Sequence, residues 1–294
     1  MCVTDQLAEP AARHVVLLLG ASGQVGSAFR GLLSDFHSLS HDEVDLASLT
    51  RSRAREVLSD TTPDLVINCA AYTAVDKAEE EEDLATAVNG EAVGVLAEVT
   101  AEHGLPLVTF STDYVFDGSG TTPYLESDAT EPVNAYGRSK LVGEKLALEA
   151  NPHALVIRTS WVISGTHPNF VATMLRLASE GRELTVVDDQ HGRPTVAGDL
   201  ARAALDAVEK GASGVLHLTN EGTTTWFGLA RSSIELAGLD PGLIQPCQTE
   251  DYPTPAARPA YSVLASERRD ALGVGQLPHW RDSLPTLVDQ IRTG

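Results

Sequence analysis

The stretch Gly20-Ala-Ser-Gly-Gln-Val-Gly26 follows the apolar run His14-Val-Val-Leu-Leu-Leu19 and precedes a helical pattern that begins at Gln24. This order of strand, glycine turn and helix is typical of a dinucleotide-binding βαβ unit. Gly20, Gly23 and Gly26 stand where the backbone must turn tightly, approach a pyrophosphate and let the helix pack close to the sheet. The N-terminus of the helix then offers unpaired N–H groups and a positive dipole end to the phosphates. A purely structural turn could use the same glycines, but the flanking strand and helix favour a dinucleotide site.

Apolar runs recur along the chain with helical segments between them, which is typical of a doubly wound parallel sheet of the α/β (Rossmann) class. The predicted strands are residues 14–19, 37–40, 64–70, 107–111, 154–159 and 215–219. The predicted helices are residues 24–33, 48–58, 83–103, 136–149 and 196–209. Because right-handed crossovers bring all the carboxyl ends of the strands to one edge, we expect Ala70, Ser111 and Thr112 at that edge, where ligands bind.

The regular alternation breaks after Thr159. Residues 161–195 contain a predicted helix at 169–180 and a predicted strand at 184–188, and residues 225–294 are richer in proline and loops. We therefore predict a flexible N-terminal extension at 1–13 and a dinucleotide-binding domain formed by 14–160 and 196–220. A smaller C-terminal substrate-binding lobe is predicted from 161–195 and 221–294.

The composition excludes several classes of protein. A net charge of −20 argues against DNA, RNA or anionic membranes as partners, because those partners need a basic surface. No window reaches the roughly 18 apolar residues of a membrane span, and Met1–Arg13 lacks the pattern of a signal peptide, so we expect a cytoplasmic protein. The spacing of Cys2, Cys69 and Cys247 predicts free thiols and argues against a zinc site. An anionic ligand would therefore need placed cations, for which Arg193 and Arg258 are the candidates.

Tyr136 and Lys140 stand four residues apart, about one helical turn, and so share a helix face. An ammonium group close to a phenol favours its ionised form, and we expect Lys140 to lower the pKa of Tyr136 from about 10. Such a tyrosine can give a proton to an oxygen whose carbon receives a hydride, the acid half of carbonyl reduction. The pair alone would also fit a solvated helix surface. The glycine turn upstream favours the catalytic interpretation.

Five segments together resemble the signature segments of the extended short-chain dehydrogenase/reductases. They are Gly20-Ala-Ser-Gly-Gln-Val-Gly26, Asn68-Cys-Ala-Ala-Tyr-Thr-Ala-Val-Asp-Lys-Ala-Glu79, Ser111-Thr-Asp-Tyr-Val-Phe-Asp-Gly118, Tyr136-Gly-Arg-Ser-Lys140 and Arg158-Thr-Ser-Trp-Val162. The second and third are far more specific than the glycine turn. The resemblance runs from about residue 14 to 280 and implies hydride transfer from NADPH, or NADH, to the 4-keto group of a dTDP-linked 4-keto-6-deoxyhexose.

The resemblance also implies roles for individual residues. Tyr136 would donate the proton, Lys140 would bind the nicotinamide ribose, and Thr112 would hydrogen-bond the carbonyl oxygen. Ser111 is expected to be a satisfied strand-end hydroxyl, because neighbouring strand residues point to opposite faces. The implied cofactor-binding residues, besides Tyr136 and Lys140, are Gly20, Gly23, Gln24, Val25, Gly26, Asp45, Leu46, Ala70, Ala71, Tyr72 and Thr73. The implied substrate-binding residues are Thr112, Asp113, Tyr114 and Trp161, to which the charge argument adds Arg193 and Arg258; Asn89 is expected to relay hydrogen bonds toward Lys140.

Several features leave alternatives open. Ile163 stands where the family more often has tyrosine, which removes one polar contact to a substrate. Ser40-His-Asp-Glu43 shows neither a lone ribose-binding acid nor a phosphate-binding arginine, so we expect both NADPH and NADH to serve. Some family members bind Mg2+ through carboxylates at a dimer interface, but no spacing here identifies such ligands, and both a monomer and a homodimer remain open.

Two other functions compete with this reductase. One is a catalytically silent nucleotide-binding regulatory subunit, which would not need Thr112, Tyr136 and Lys140 together. The other is a reductase for a different dTDP-4-keto-deoxysugar in a specialised pathway, since the stereochemistry at one carbon leaves no readable trace in the sequence. A dehydratase is disfavoured because Asp113 followed by Tyr114 does not supply the expected pair of acids.

Overall fold

Strands and helices alternate through most of the chain. The computed structural model describes residues 15–293. From the N-terminus to the middle, the elements are β1 (Val16–Leu19), α1 (Gln24–Arg30), β2 (Phe36–Leu39), α2 (Arg51–Thr61), β3 (Leu65–Asn68), α3 (Glu82–Thr86), α4 (Ala92–Glu102), β4 (Leu107–Thr112), α5 (Ala135–Ala150), β5 (Ala154–Thr159) and β6 (Val162–Ile163). The remaining elements are α6 (Phe170–Ser179), β7 (Leu184–Val187), β8 (His191–Gly192), β9 (Thr195–Val196), α7 (Ala197–Glu209), β10 (Gly214–His217), β11 (Thr224–Thr225), α8 (Trp226–Leu236), β12 (Ile244–Cys247), α9 (Arg269–Leu272) and α10 (Trp280–Thr293).

Six strands form one parallel sheet in the order β10-β5-β4-β3-β1-β2. The chain runs outward from β1 to β2 and then continues on the other side of β1 with β3. Ligands of doubly wound sheets bind outside the carboxyl ends of the strands at such a switch point. The doubly wound parallel fold predicted from the sequence is confirmed, and the observed strand ends lie close to the predicted ones. The predicted extension 1–13 lies outside the described residues, as does the predicted first strand residue His14.

The predicted helix at 83–103 is not continuous. A π-helical segment, Ala87–Glu91, separates α3 from α4. Within it, Gly90 packs so closely on α5 that a Cβ there would lie 2.8 Å from Cγ1 of Val142. Segments of this kind occur frequently at functional sites, and this one carries Asn89.

The two faces of the sheet bury separate apolar clusters, because successive strand residues point to opposite sides. Leu18, Ile67 and Ile157 belong to the cluster that also contains α7, whereas Leu17 and Val66 belong to the cluster that contains α2 and α4. A third cluster is formed mainly by apolar residues of α6, α8 and α10. Val274 and Leu277 belong instead to the first cluster, on the sheet. The segment 221–294 therefore contributes to the core of the sheet as well as to the third cluster.

A buried ion pair joins α5 to β5. The Nε and Nη2 atoms of Arg158 donate to the two carboxylate oxygens of Glu144 at 2.9 and 2.7 Å, and both side chains are at most 5% exposed. A bidentate pair of this kind fixes orientation as well as distance. It therefore sets the position of α5, which carries Tyr136 and Lys140, relative to the strand ends. Among residues 15–293, no helix is both long enough and apolar enough to cross a membrane.

Candidate active site

A cavity of about 1190 Å³ opens at the carboxyl ends of the strands. It is bounded by the glycine turn, the segment after β2, residues 70–73, the end of β4, α5 and the segment after β5. Most of the sequence-predicted site residues line it: Gly20, Gly23, Gln24, Val25, Asp45, Leu46, Ala70, Ala71, Tyr72, Thr73, Thr112, Asp113, Tyr136, Lys140 and Trp161. Four predicted residues do not line it, namely Gly26, Tyr114, Arg193 and Arg258.

The backbone of the glycine turn requires glycine at Gly20 and at Gly26. Gly20 has a φ of 72°, and a Cβ on Gly26 would lie 2.1 Å from the carbonyl oxygen of Gly20. Gly26 is thus buried where α1 meets the turn, which is why it does not reach the cavity. A Cβ on Gly23 would meet only the Gly20 oxygen, at 3.5 Å, so this position faces open space. Gly23 is the N-cap of α1 and supplies no side-chain acceptor, which leaves the first N–H groups of the helix for an anion.

The segment after β2 supplies one end of the cavity. Asp45 caps the short helical turn Leu46–Ser48, and its carboxylate accepts hydrogen bonds from Ala47 N at 2.9 Å and Ser48 Oγ at 3.1 Å. Ser40 donates from both N and Oγ to Glu43, at 2.8 Å each. Arg30, in the last turn of α1, also lines the cavity and makes no ion pair within residues 15–293. Sequence reasoning missed Arg30, because it searched for a cation only after β2, although a basic residue ending α1 was visible in the sequence.

Tyr136 and Lys140 lie on the cavity-facing side of α5, as their spacing predicted. The Nζ atom of Lys140 donates to the carbonyl oxygen of Phe110 at 3.0 Å, and burial lowers the pKa of Lys140 to about 8. The pKa of Tyr136 is raised, first by burial and then by the neighbouring Asp113 carboxyl group. The expectation that Lys140 lowers the pKa of Tyr136 is therefore wrong for this arrangement, in which Lys140 is bonded to Phe110. Tyr136 stays protonated at neutral pH and keeps a proton to donate.

The end of β4 carries three adjacent polar residues that are all buried. Thr112 accepts a hydrogen bond from Tyr114 N at 3.2 Å and contacts Asp113 Oδ1 through its hydroxyl at 3.0 Å. Asp113 is 2% exposed, and burial raises its pKa to about 7. The hydroxyl of Ser111 has no hydrogen-bond partner in the part of the chain that the structure describes. The expectation of a satisfied Ser111 hydroxyl is wrong, because the strand ends there and the side chain lines the cavity.

Asn89 fixes the loop that follows β3. Its Oδ1 accepts from Tyr72 N at 2.9 Å, and its Nδ2 donates to Tyr72 O at 2.9 Å and to Ser139 Oγ at 3.0 Å. Ser139 in turn donates to Tyr136 O at 2.7 Å. One buried amide therefore links the loop 70–73 to the helix of Tyr136 and Lys140, in agreement with the relay expected from the sequence.

Trp161 forms part of the cavity wall in a strained conformation. Its φ of 47° is in the left-handed region, which is uncommon for a bulky residue. The indole stacks on Trp226 with ring centroids 3.7 Å apart and an interplanar angle of 10°. A Cβ on Gly192 would lie 2.4 Å from the Trp161 ring, so only glycine fits beneath it. The surrounding packing thus holds Trp161 at the cavity, and the residue is both packed and accessible to a ligand.

Both arginines proposed for an anionic ligand are paired with carboxylates. Arg258 donates to the two oxygens of Asp76 at 2.9 Å each, and also to Thr254 Oγ1 at 2.5 Å and Ala256 O at 3.0 Å. Arg193 contacts Glu221 at 3.1 Å, but Glu221 is shared with Arg269 at 3.0 Å. The guanidinium of Arg258 is thus nearly saturated, whereas the one carboxylate that pairs with Arg193 among the described residues is shared with Arg269.

The described residues contain no cluster of three or more His, Cys, Asp or Glu side chains that could hold a metal ion. Cys69 and Cys247 are free thiols, and burial raises the pKa of Cys69. Cys2 lies outside the described residues. Nothing in this part of the chain supports the Mg2+ that the resemblance allowed.

Comparisons with known proteins agree with this geometry. A family model described as the RmlD substrate binding domain matches residues 14–293. The chain is 44% identical over 286 residues to a dTDP-4-dehydrorhamnose reductase of Burkholderia thailandensis, covering 90% of this chain and 95% of that protein. It is 42% identical over 275 residues to a probable dTDP-4,6-dihydroxy-2-methyloxan-3-one 4-ketoreductase of Streptomyces antibioticus, covering 91% and 92%. A crystal structure of dTDP-4-dehydrorhamnose reductase from Bacillus anthracis in complex with NADP matches with a TM-score of 0.90 and 33% identity, covering 95% of this chain and 99% of that one.

The Asn89 network generates a prediction about cofactor binding. Asn89→Ala removes the two hydrogen bonds that Asn89 makes to the backbone of Tyr72, so the loop 70–73 is held less firmly at the cavity. We expect the free energy of NADPH binding to weaken by about 1.4 kcal/mol, which is a roughly tenfold higher Kd. Asn151 offers a matched control, because it is equally buried and its amide makes three hydrogen bonds, to Thr100, Leu105 and His153, beyond the opposite ends of the strands. We expect both Ala variants to lose stability in urea unfolding, but only Asn89→Ala to raise the NADPH Kd in calorimetry. Equal affinities for the two variants would contradict the positioning role.

Proposed function

This chain belongs to the family described by the RmlD substrate binding domain, and we propose that it reduces the 4-keto group of a dTDP-6-deoxy-L-hexulose to dTDP-L-rhamnose with NADPH. The observation that carries this proposal is the convergence of Thr112, Tyr136 and Lys140 on the cavity that also contains the glycine turn. A hydride acceptor placed there meets a proton donor, a hydroxyl and a buried ammonium group. The nucleotide-binding turn and the carbonyl-reducing groups therefore share one site.

The bound cofactor supplies a hydride to C4 of the sugar, and the residues of this chain manage the charge that develops on the oxygen. Tyr136 gives its proton to that oxygen, for which its raised pKa keeps it protonated. Thr112 is held at the N-cap of the turn Asp113–Val115 and presents its hydroxyl to the same oxygen. Lys140, whose Nζ donates to Phe110 O, would hold the nicotinamide ribose of the bound cofactor. Thr112 and Lys140 are buried and Tyr136 is partly buried, so little water competes with these interactions.

A second candidate function is reduction of another dTDP-4-keto-deoxysugar. It is favoured by the similarity to the Streptomyces antibioticus protein, whose name specifies a 4-ketoreductase of that kind. A silent regulatory subunit is disfavoured, because the proton donor, the hydroxyl and the lysine are all directed at the cavity. The decisive assay incubates the protein with NADPH and either dTDP-4-keto-L-rhamnose or dTDP-4-keto-6-deoxy-D-glucose, follows absorbance loss, and identifies each product by NMR. Faster turnover of the first substrate to dTDP-L-rhamnose supports the proposal, and turnover of neither contradicts it.

Replacing Tyr136 by phenylalanine removes the acidic proton and little else. General acid catalysis typically contributes about 10²- to 10⁴-fold in rate, and we expect kcat to fall by that amount in Tyr136→Phe. The NADPH Kd should remain within a few-fold of wild type, as measured by fluorescence titration. Near wild-type turnover in this variant would remove Tyr136 from its role.

The cofactor preference is proposed to depend on Arg30. Arg30 lines the same cavity as Ser40 and His41, the segment near which a 2′-phosphate would need a cation, while Glu43 and Asp45 are engaged in local hydrogen bonds. We expect both cofactors to serve, with NADPH preferred by less than about a hundredfold, because a charge-assisted hydrogen bond is worth about 1.5–3 kcal/mol.

Arg30→Ala tests this assignment. The variant should raise the KM for NADPH by about tenfold or more and leave the KM for NADH nearly unchanged, since only NADPH carries the extra phosphate. Arg182→Ala is the matched control, because Arg182 is an exposed arginine that does not line the cavity. A wild-type enzyme that prefers NADH a thousandfold would instead indicate that Asp42 or Asp45 binds the ribose.

The dTDP pyrophosphate is proposed to bind an arginine, and the pairing favours Arg193 over Arg258. Arg193 shares its one carboxylate partner with Arg269, so its guanidinium is less saturated than that of Arg258. We expect Arg193→Ala to raise the KM of the sugar nucleotide by about tenfold or more, with the NADPH KM unchanged. Calorimetry with dTDP on Arg193→Ala, Arg258→Ala and the double variant checks it. If all three bind dTDP as tightly as wild type, the pyrophosphate is held by backbone amides instead.

A further inference from the structure

Asp113 is the most deeply buried carboxyl group at the cavity, and the steps described above leave it without a role. It is 2% exposed, it lines the cavity, and its Oδ2 has no hydrogen-bond partner among the described residues. Its Oδ1 lies 3.0 Å from Thr112 Oγ1. A buried carboxylate with an unpaired oxygen is costly, so the neutral acid is favoured.

The contact between Asp113 and Thr112 decides where the single proton of Thr112 points. The oxygen of Thr112 cannot turn away freely, because it accepts the Tyr114 N–H as the N-cap of the turn Asp113–Val115. If Asp113 is ionised, it can only accept, and the Thr112 proton points at Oδ1. If Asp113 is protonated, it can donate to Thr112 Oγ1, and the Thr112 proton is free to point elsewhere.

We propose that Asp113 is a positioning residue that, as a neutral carboxylic acid, donates to Thr112 and directs the Thr112 proton to the carbonyl oxygen of the substrate. This inference rests on the proposed reductase function and deepens it. No proton leaves Asp113 in the reaction: Tyr136 supplies the proton of the product alcohol, and Thr112 contributes a hydrogen bond that strengthens as negative charge develops on the oxygen. The sequence analysis expects Asp113 to face the sugar nucleotide, and this proposal gives it an additional action through Thr112.

The surroundings of Asp113 favour its protonated form at pH values up to about 7. Burial raises its pKa to about 7, against the opposing influence of the nearby Ser262 and Thr112 hydroxyl groups. The titratable groups packed around it are Tyr136 from α5 and Tyr114 from the turn after β4, and Asp113 raises the pKa of both. The charged pair of Arg258 and Asp76 lies behind Tyr114 and acts on it with opposite signs.

The sign of the pH dependence follows directly. Asp113 must be protonated for Thr112 to donate, so kcat/KM falls as the pH rises through about 7. A second fall is expected near pH 8, where Lys140 loses its charge. In Asp113→Asn the side-chain amide donates at every pH, so the fall near pH 7 disappears and only the later one remains. Asp113→Leu cannot donate and removes the side-chain partner that orients the Thr112 proton, so its kcat should be reduced at all pH values by about tenfold or more.

The test measures kcat/KM against pH at saturating NADPH for wild type, Asp113→Asn and Asp113→Leu. Asp60→Asn, which removes an exposed carboxylate from α2, serves as the charge-matched control and should keep the wild-type profile. Circular dichroism melts establish that each variant is folded. The inference is supported if Asp113→Asn retains activity within about tenfold of wild type at pH 6 and loses the fall near pH 7. It is overturned if Asp113→Asn keeps that fall, or is as impaired as Asp113→Leu.

A second measurement does not depend on turnover. Carboxyl 13C NMR of the aspartate-labelled protein with bound NADPH should show one resonance, absent from Asp113→Asn, that titrates near pH 7. A carboxyl group at Asp113 that is already ionised at pH 5 overturns the inference even if no substrate is turned over. Absence of turnover in wild type, with a resonance that titrates near pH 7, would instead count against the proposed substrate.

Discussion

The structure depends on places where only a glycine allows two backbones to approach each other. A Cβ on Gly20 would lie 2.4 Å from Ala70 N, and one on Gly26 would lie 2.1 Å from Gly20 O. The same constraint positions α5, because a Cβ on Gly137 would lie 2.1 Å from Tyr114 O, and one on Gly143 would lie 2.1 Å from Asn89 O. These contacts bring the glycine turn, the loop after β3, the end of β4 and α5 around one cavity. Any side chain at these positions would push those elements apart.

Burial governs the chemistry of the site more than the net charge of the protein does. The chain carries a net charge of −20, yet the titratable groups at the cavity respond mainly to desolvation. Desolvation favours the neutral form of each group. It therefore raises the pKa of Tyr136 and of Asp113, which keep their protons more readily, and it lowers the pKa of Lys140. The result is a site that contains proton donors at neutral pH within a strongly acidic protein. Lys140 is buried beside the cavity, Arg193 and Arg258 are paired with carboxylates, and Arg30 is an exposed cation in the cavity wall.

The region beyond β5 is coupled to the cavity by specific contacts. Gln24 donates to Val162 O at 3.3 Å and accepts from Ser164 Oγ at 3.0 Å, so the first residue of α1 is tied to the segment after β5. Trp161 carries the strain of a left-handed backbone and is supported by Trp226. Strain of this kind persists where the surrounding packing over-determines the conformation. A shift of α8 would therefore move the aromatic wall of the site together with the region that contains Arg193.

The sequence by itself determined the order of elements and the parallel sheet, because hydrophobic periodicity and local motifs encode those features within short windows. The motifs and the family resemblance also predicted Thr112, Tyr136 and Lys140 as site residues, and all three line the cavity. It did not reveal the π-helical segment, because that depends on how closely Gly90 packs on α5. It missed Arg30, and it did not show that Arg258 is saturated by Asp76, since these relations join residues far apart in the chain or on different elements. The direction of the pKa shift of Tyr136 was also decided only by the tertiary structure. A pKa depends on burial and on the charges that surround a group in space, and helical spacing determines neither.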